Sequence, residues 1–234
     1  MKPNLAVTTN SGKTDAELKT YILAELKYEP SVKATDIGVL VNDGTVTLNG
    51  FVPSYWEKWA AVAATKRVAG VKAIADDIEV RLPSIPHHSD GDIAAAAASK
   101  IDFITTIPEE DIHIKVREGF VTLDGTVEWW YQKDAAERAV QTLFGVKGVS
   151  NLIEIKPKIT ASGIESDINF AFERNSLCDS DKINVKVSGS AVTLSGEVDT
   201  HAERDEAARV AWRAPGVSSV DNNIKVKWSW NGAW

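Results

Sequence analysis

Three stretches decide the fold: Gly44-Thr-Val-Thr-Leu-Asn-Gly50, Gly119-Phe-Val-Thr-Leu-Asp-Gly125 and Ser190-Ala-Val-Thr-Leu-Ser-Gly196. Each is followed by a helix-forming segment that ends on Gly-Val: Gly70-Val71, Gly145-Val146 and Gly216-Val217. A short apolar run then closes each copy, at Asp77-Ile-Glu-Val80, Leu152-Ile-Glu-Ile155 and Asn223-Ile-Lys-Val226. From the second glycine of each stretch to its Gly-Val the interval is 20 residues every time, and the copies stand 75 and then 71 residues apart. Self-similarity at a fixed period outranks every local reading, because each repeat is one supersecondary unit. The chain therefore reads as three small units of about 70 residues rather than as one 234-residue core.

Working outward from the first stretch, Thr14-Asp-Ala-Glu17 has the form of a capping box. Leu18, Ile22 and Leu26 recur at helical spacing, and Pro30 stops that helix. Ile37, Val39 and Val41 then alternate, Asn42-Asp43-Gly44 turns the chain, and Val46 and Leu48 alternate again, which is a hairpin. Pro53-Ser54 opens a second, alanine-rich helix, with Gly70 placed as a left-handed terminus. Ile74, Ile78 and Val80 make a third strand. The second copy repeats the plan with Ile93, Ala97, Ile101 and Ile104 on its helix and Ile112, Ile114 and Val116 on its strand. In the third, Ser162-Gly-Ile-Glu165 has the form of another capping box and Ile183, Val185 and Val187 alternate.

The fold class is α+β: three tandem αββαβ units, each with two helices on a three-stranded mixed sheet. The edge taken by the last strand stays open. The units span 13–82, 89–157 and 163–228. The Pro-bearing linker Leu82–Gly91 and the stretch Lys156–Gly163 join them, and both are short enough to keep neighbours in contact.

Net charge is −7, divided as −1 over 13–83, −4 over 90–158 and −3 over 164–228, with Lys2 supplying +1. No unit carries the basic stripe that tracks a phosphate backbone, so nucleic acid is not an expected partner. The single cysteine, Cys178, allows no intrachain disulfide and no thiol pair for a metal. No apolar run reaches the length of a membrane span. The sequence as written carries no signal-peptide pattern and reads as cytoplasmic, or as periplasmic if an export signal has been removed.

The pattern Gly-x-Val-Thr-Leu-x-Gly-x-Val, the alanine-spaced helix, Gly-Val and the Asn/Asp-bearing last strand together resemble the BON domain, the bacterial OsmY and nodulation domain. The matching positions are Gly44, Gly50, Gly70 and Val71; Gly119, Gly125, Gly145 and Val146; Gly196, Gly216 and Val217. Ser190 replaces the first glycine of the third copy, and Ala214-Pro215 stands where the first has Val68-Ala69. What the resemblance implies is a non-catalytic module tied to osmotic stress and the cell envelope, with phospholipid as the expected surface. It brings no catalytic residues, no cofactor and no metal.

The candidate contact is aromatic. The second helix of the first unit opens with Tyr55-Trp56-Glu57-Lys58-Trp59, that of the second with Trp129-Trp130-Tyr131-Gln132-Lys133, and the corresponding stretch of the third is Thr200-His201-Ala202-Glu203-Arg204. A requirement of the shared core appears in all copies. Tyr55, Trp56, Trp59, Trp129, Trp130 and Tyr131 do not, so some of these rings lie outside it. Trp and Tyr with a wet edge suit a lipid interface or a protein partner, and they equally suit packing between units.

The other features read as structural. Trp228 and Trp230 extend the last strand as a cap, Ala94–Ala98 permits close packing, and Cys178 is a packed thiol. His87-His88 with Asp90 and Asp92 lacks a metal-ligand spacing, and His113 faces outward. Asp43, Asp76 and Asp124 near the glycine turns are candidate holders of a monovalent cation, and the resemblance implies a small-cation (potassium) sensor as an alternative to phospholipid binding. A pure protein–protein scaffold is the other alternative. No nucleophile–base arrangement is present, and an enzyme is not expected.

Overall fold

A computed structural model of the chain describes residues 13–83, 88–104, 112–158, 163–175 and 180–227. His87, Ser162, Cys178, Trp228 and Trp230 lie outside these residues. The first unit runs α1 (Asp15–Tyr28), β1 (Ile37–Asn42), β2 (Thr45–Val52), α2 (Tyr55–Lys66) and β3 (Ala73–Val80). The second runs α3 (Asp90–Asp102), β4 (Ile112–Arg117), β5 (Phe120–Val127), α4 (Trp130–Gln141), β6 (Gly148–Asn151) and β7 (Glu154–Ile155). The third runs α5 (Ile164–Arg174), β8 (Ile183–Ser188), β9 (Ala191–Val198), α6 (His201–Trp212) and β10 (Ser219–Val226). The αββαβ order holds in all three.

In each unit the hairpin is antiparallel and the last strand joins the other side of its second strand in parallel register, Gly50 opposite Ile78 in the first unit and Gly196 opposite Ile224 in the third. The edge left open by the sequence is thereby decided, and β2, β5 and β9 are central. Three separate cores result. Leu18, Ile22 and Leu26 of α1 meet Val46, Leu48 and Val52 of β2 and Ala60, Ala61 and Ala64 of α2. Ile93, Ala97 and Ile101 meet Val121, Leu123 and Val127 in the second, and Ile164, Ile168 and Phe172 meet Val192, Leu194 and Val198 in the third.

The hairpin turns show how one local requirement is met in two ways. Asp43 and Gly44 both have positive φ, as do Glu118 and Gly119, which is the type I′ pattern whose twist suits a hairpin. In the third unit only the first turn position, Gly189, has positive φ, which frees the next position to be Ser190. The Ser190 hydroxyl then pairs with that of Ser218 at 2.7 Å. In the first two units an aspartate at the start of the first helix holds the turn instead. Asp15 accepts from the Asp43 and Gly44 amides at 2.8 and 3.0 Å, and Asp90 accepts from those of Glu118 and Gly119 at 2.8 and 2.9 Å.

The second glycine of each stretch answers a harder constraint. Gly50, Gly125 and Gly196 have φ of 126, 135 and 133° in mid-strand. A Cβ on Gly50 overlaps the carbonyl oxygen of Asp36, and one on Gly196 overlaps that of Lys182.

Several local expectations differ from the structure. The Thr14 capping box is present, and Ser89 with Asp92 forms a second one, which lacks the usual sequence signature because Asp rather than Glu closes it. Helix α5 is capped by Gly163 in the left-handed region, and the Ser162 of the box expected with Glu165 lies outside the described residues. Helix α2 ends at Lys66, and Gly70, at φ 96°, closes the turn beyond it rather than the helix itself. The last strand of the second unit is divided at Leu152-Ile153 into β6 and β7.

Candidate functional site

The caps of the second helices fix how the three aromatic segments correspond. Ser54, Trp129 and Thr200 are the cap residues, so Tyr55, Trp130 and His201 occupy one position, and Trp56, Tyr131 and Ala202 the next. This moves the first unit by one residue against the correspondence read from the sequence. It also brings Lys58, Lys133 and Arg204 into one position, where all three reach across to the last strand. Lys58 Nζ donates to the Ile78 carbonyl and Lys133 Nζ to that of Ile153, both at 2.7 Å, and Arg204 donates to that of Asn222 at 2.9 Å. Burial pulls the Lys133 ammonium below the usual lysine range, against the opposing pull of Glu137.

The last strand answers with its Asp or Asn. Asp76, Asn151 and Asn222 each accept, through Oδ1, from the amide two residues on, at 3.2, 3.3 and 3.3 Å. Asn151 and Asn222 also donate through Nδ2 to the carbonyls of Lys133 and Arg204, at 3.0 and 2.8 Å, whereas Asp76, which has no donor, pairs with Lys58 at 3.2 Å. In the second unit this turn coincides with the break between β6 and β7. Asn151→Ala should cost about 2 kcal/mol, because it takes the side-chain acceptor from the Ile153 amide and removes the bonds to the Lys133 carbonyl and the Glu137 carboxylate. Urea unfolding followed through the second unit's amides checks this, and a loss below about 0.5 kcal/mol would refute it.

All three pairs of units touch. The Tyr55 hydroxyl of the first unit meets the backbone of Val149 in the second, and burial raises its pKa. His201 Nε2 of the third lies 3.1 Å from the Lys72 carbonyl of the first, and Asp205 pairs with Lys66 at 2.7 Å. Trp212 of the third packs on the core of the second, as Tyr55 does. Where the second helices converge, a cleft of 280 Å³ is lined by Trp59, Trp130 and Trp212 together with Asp134, Glu137 and Arg209.

The six candidate aromatics therefore divide. Tyr55 serves a junction, while Trp130 packs on the core of its own unit and lines, with Trp59, the cleft where the second helices converge. Trp56 and Trp59 stack on each other at 5.0 Å and stay open, 37 and 43% exposed. Trp129 stacks on Tyr131 at 6.4 Å, Tyr131 being exposed and Trp129 half-buried. Trp212 was missed by sequence reasoning. Its position holds Lys66 and Gln141 in the other copies, so comparison of the copies is the signal that finds it.

The remaining candidates are not gathered into a site. Asp43 lies in a hairpin turn, Asp76 is paired with Lys58, and Asp124 accepts from the Gly125 amide at 2.9 Å. Asp90 and Asp92 are committed to turn and cap, and the His88 ring meets Phe144 edge-on at 5.2 Å. His113 is exposed, and of Ala94–Ala98 only Ala97 is buried. Among the described residues no three His, Cys, Asp or Glu side chains group as metal ligands, and no helix is long and apolar enough to cross a membrane.

The BON domain profile matches residues 14–81, 89–157 and 160–227, and the chain belongs to the BON domain family. It is 31% identical over 147 residues to Osmotically-inducible protein Y of Escherichia coli (strain K12), covering 61% of this chain and 73% of that protein. Among solved structures it is similar to CdsD, a structural protein of the type III secretion system of Chlamydia trachomatis, at 14% identity and a TM-score of 0.25, covering 90% of this chain and 92% of that one. The C-terminal domain of CdsD gives 14% identity and a TM-score of 0.24, covering 92% of this chain and all, 100%, of that one.

Proposed function

We propose that the chain is a non-enzymatic protein of the osmotic-stress response that acts at the cell envelope, where its BON units contact a phospholipid surface. Family membership and the name of the Escherichia coli relative support the stress and envelope setting. That setting favours a periplasmic chain over a cytoplasmic one. The observation that carries the contact is the stacked Trp56–Trp59 pair, which stays open to solvent although Trp59 also lines the cleft where the second helices converge. An indole with one apolar face and one N–H edge is suited to the headgroup level of a bilayer.

Co-sedimentation with vesicles of phosphatidylethanolamine and phosphatidylglycerol tests this. Wild type is expected to sediment, and Trp56→Ala/Trp59→Ala to bind at least about tenfold more weakly, the loss of two buried rings at an interface. Equal binding by the two proteins, or none by wild type, rejects the contact. A second reading, a scaffold for protein partners, is favoured by the placement of Tyr55 and Trp212 at the junctions and of Trp130 in the cleft between them. Retention of a partner protein by the chain together with no vesicle binding would select it.

A further inference from the structure

The third unit keeps an arginine whose partners it has lost. In the first unit Arg67, the residue that ends α2, is held by two carboxylates one turn apart, Glu25 of α1 and Glu29 at its C-terminal cap: Nε by Glu25 at 2.7 Å and a terminal nitrogen by Glu29 at 3.1 Å. The residue that ends α6 is Arg213, but Ala171 stands in the place of Glu25 and Asn175 in that of Glu29. The same unit adds Arg174 where the others have Tyr28 and Phe103. Both guanidinium groups line a groove of 740 Å³ between α5 and α6, and neither has a carboxylate partner among the described residues.

The groove has a floor as well as charges. Phe170, Ala171, Val210, Ala214 and Pro215 supply apolar surface, and Phe170 is 56% exposed. Glu206 also lines it but is neutralised by Arg209, its short-range partner, and accepts from Asn175 at 3.1 Å. Asp167, at the other end of α5, leaves a balance of one positive charge among the described lining residues, in a chain of net −7. Planar guanidinium forks match carboxylates with two hydrogen bonds each.

We propose that this groove binds an acidic peptide segment, two of whose carboxylates, one helical turn apart, take the places that Glu25 and Glu29 hold beside Arg67. The apolar floor receives the residue between them. The full-length chain is titrated with a fluorescein-labelled alanine-based helical peptide carrying Glu at positions i and i+4, and with the same peptide carrying Gln there. The Glu peptide is expected to bind, with affinity falling as salt rises, and the Gln peptide about tenfold more weakly or not at all.

Arg213→Gln is expected to weaken Glu-peptide binding about tenfold, and Arg67→Gln, whose site is already filled, to leave it unchanged. Ala171→Glu restores the first unit's carboxylate and is expected to close the groove to the peptide while the chain keeps its folded circular dichroism spectrum. Equal binding of the Glu and Gln peptides, or unchanged binding by Arg213→Gln, overturns the proposal. So does Arg213-dependent binding of phosphatidylglycerol vesicles or inorganic phosphate without binding of the Glu peptide.

Discussion

Gly50→Ala is expected to lower the stability of the first unit by about 4 kcal/mol, the sum of backbone strain and overpacking. At φ 126° an alanine occupies a region that side chains rarely enter, and its methyl group overlaps the Asp36 carbonyl. Nothing flexible stands in the way to yield, because the obstacle is backbone at the entrance to β1. Hydrogen exchange of the β1–β3 amides measures the loss, and Gly91→Ala, in the first turn of α3 with ordinary contacts, serves as the comparison. That control should change stability by less than about 1 kcal/mol. A Gly50→Ala protein within about 1 kcal/mol of wild type, on the order of ordinary surface changes, would show that the strand shifts to accept the methyl.

Phe172→Ala should remove about 3–5 kcal/mol from the third unit. The ring is 1% exposed and fills the place of Leu26 and Ile101 in the other copies, so its loss opens a larger void than either of theirs would. We propose that the units 13–82, 89–157 and 163–228 fold on separate cores, which places the loss in the β8–β10 amides. Equal loss of protection in all three units would mean that the chain unfolds as one body, against that division.

The repeat was legible because its causes are local. Val46, Leu48 and their counterparts announce a half-buried strand, and Leu18, Ile22 and Leu26 a helix face, without reference to anything distant. The place of the last strand was not legible, since pairing beside β2 depends on how α2 crosses the sheet. Nor was the role of Asp76, Asn151 and Asn222, which lies in bonds to a helix 18 residues away in the second and third units. The aromatic segments gave an imprecise correspondence between the copies. Tyr55 stands one residue from the exposed Trp56, yet it meets the second unit because a helix turns about 100° per residue. Contacts such as His201 with Lys72, 129 residues apart, leave no periodic trace in a sequence.

Mutual contact among all three units has a consequence for stoichiometry. Each copy is flanked by the other two, so deleting one exposes two complementary faces in the same molecule. A chain shortened in that way keeps uncovered the surfaces that the missing copy fits, so that copy supplied as a separate polypeptide is its route back to a closed trio.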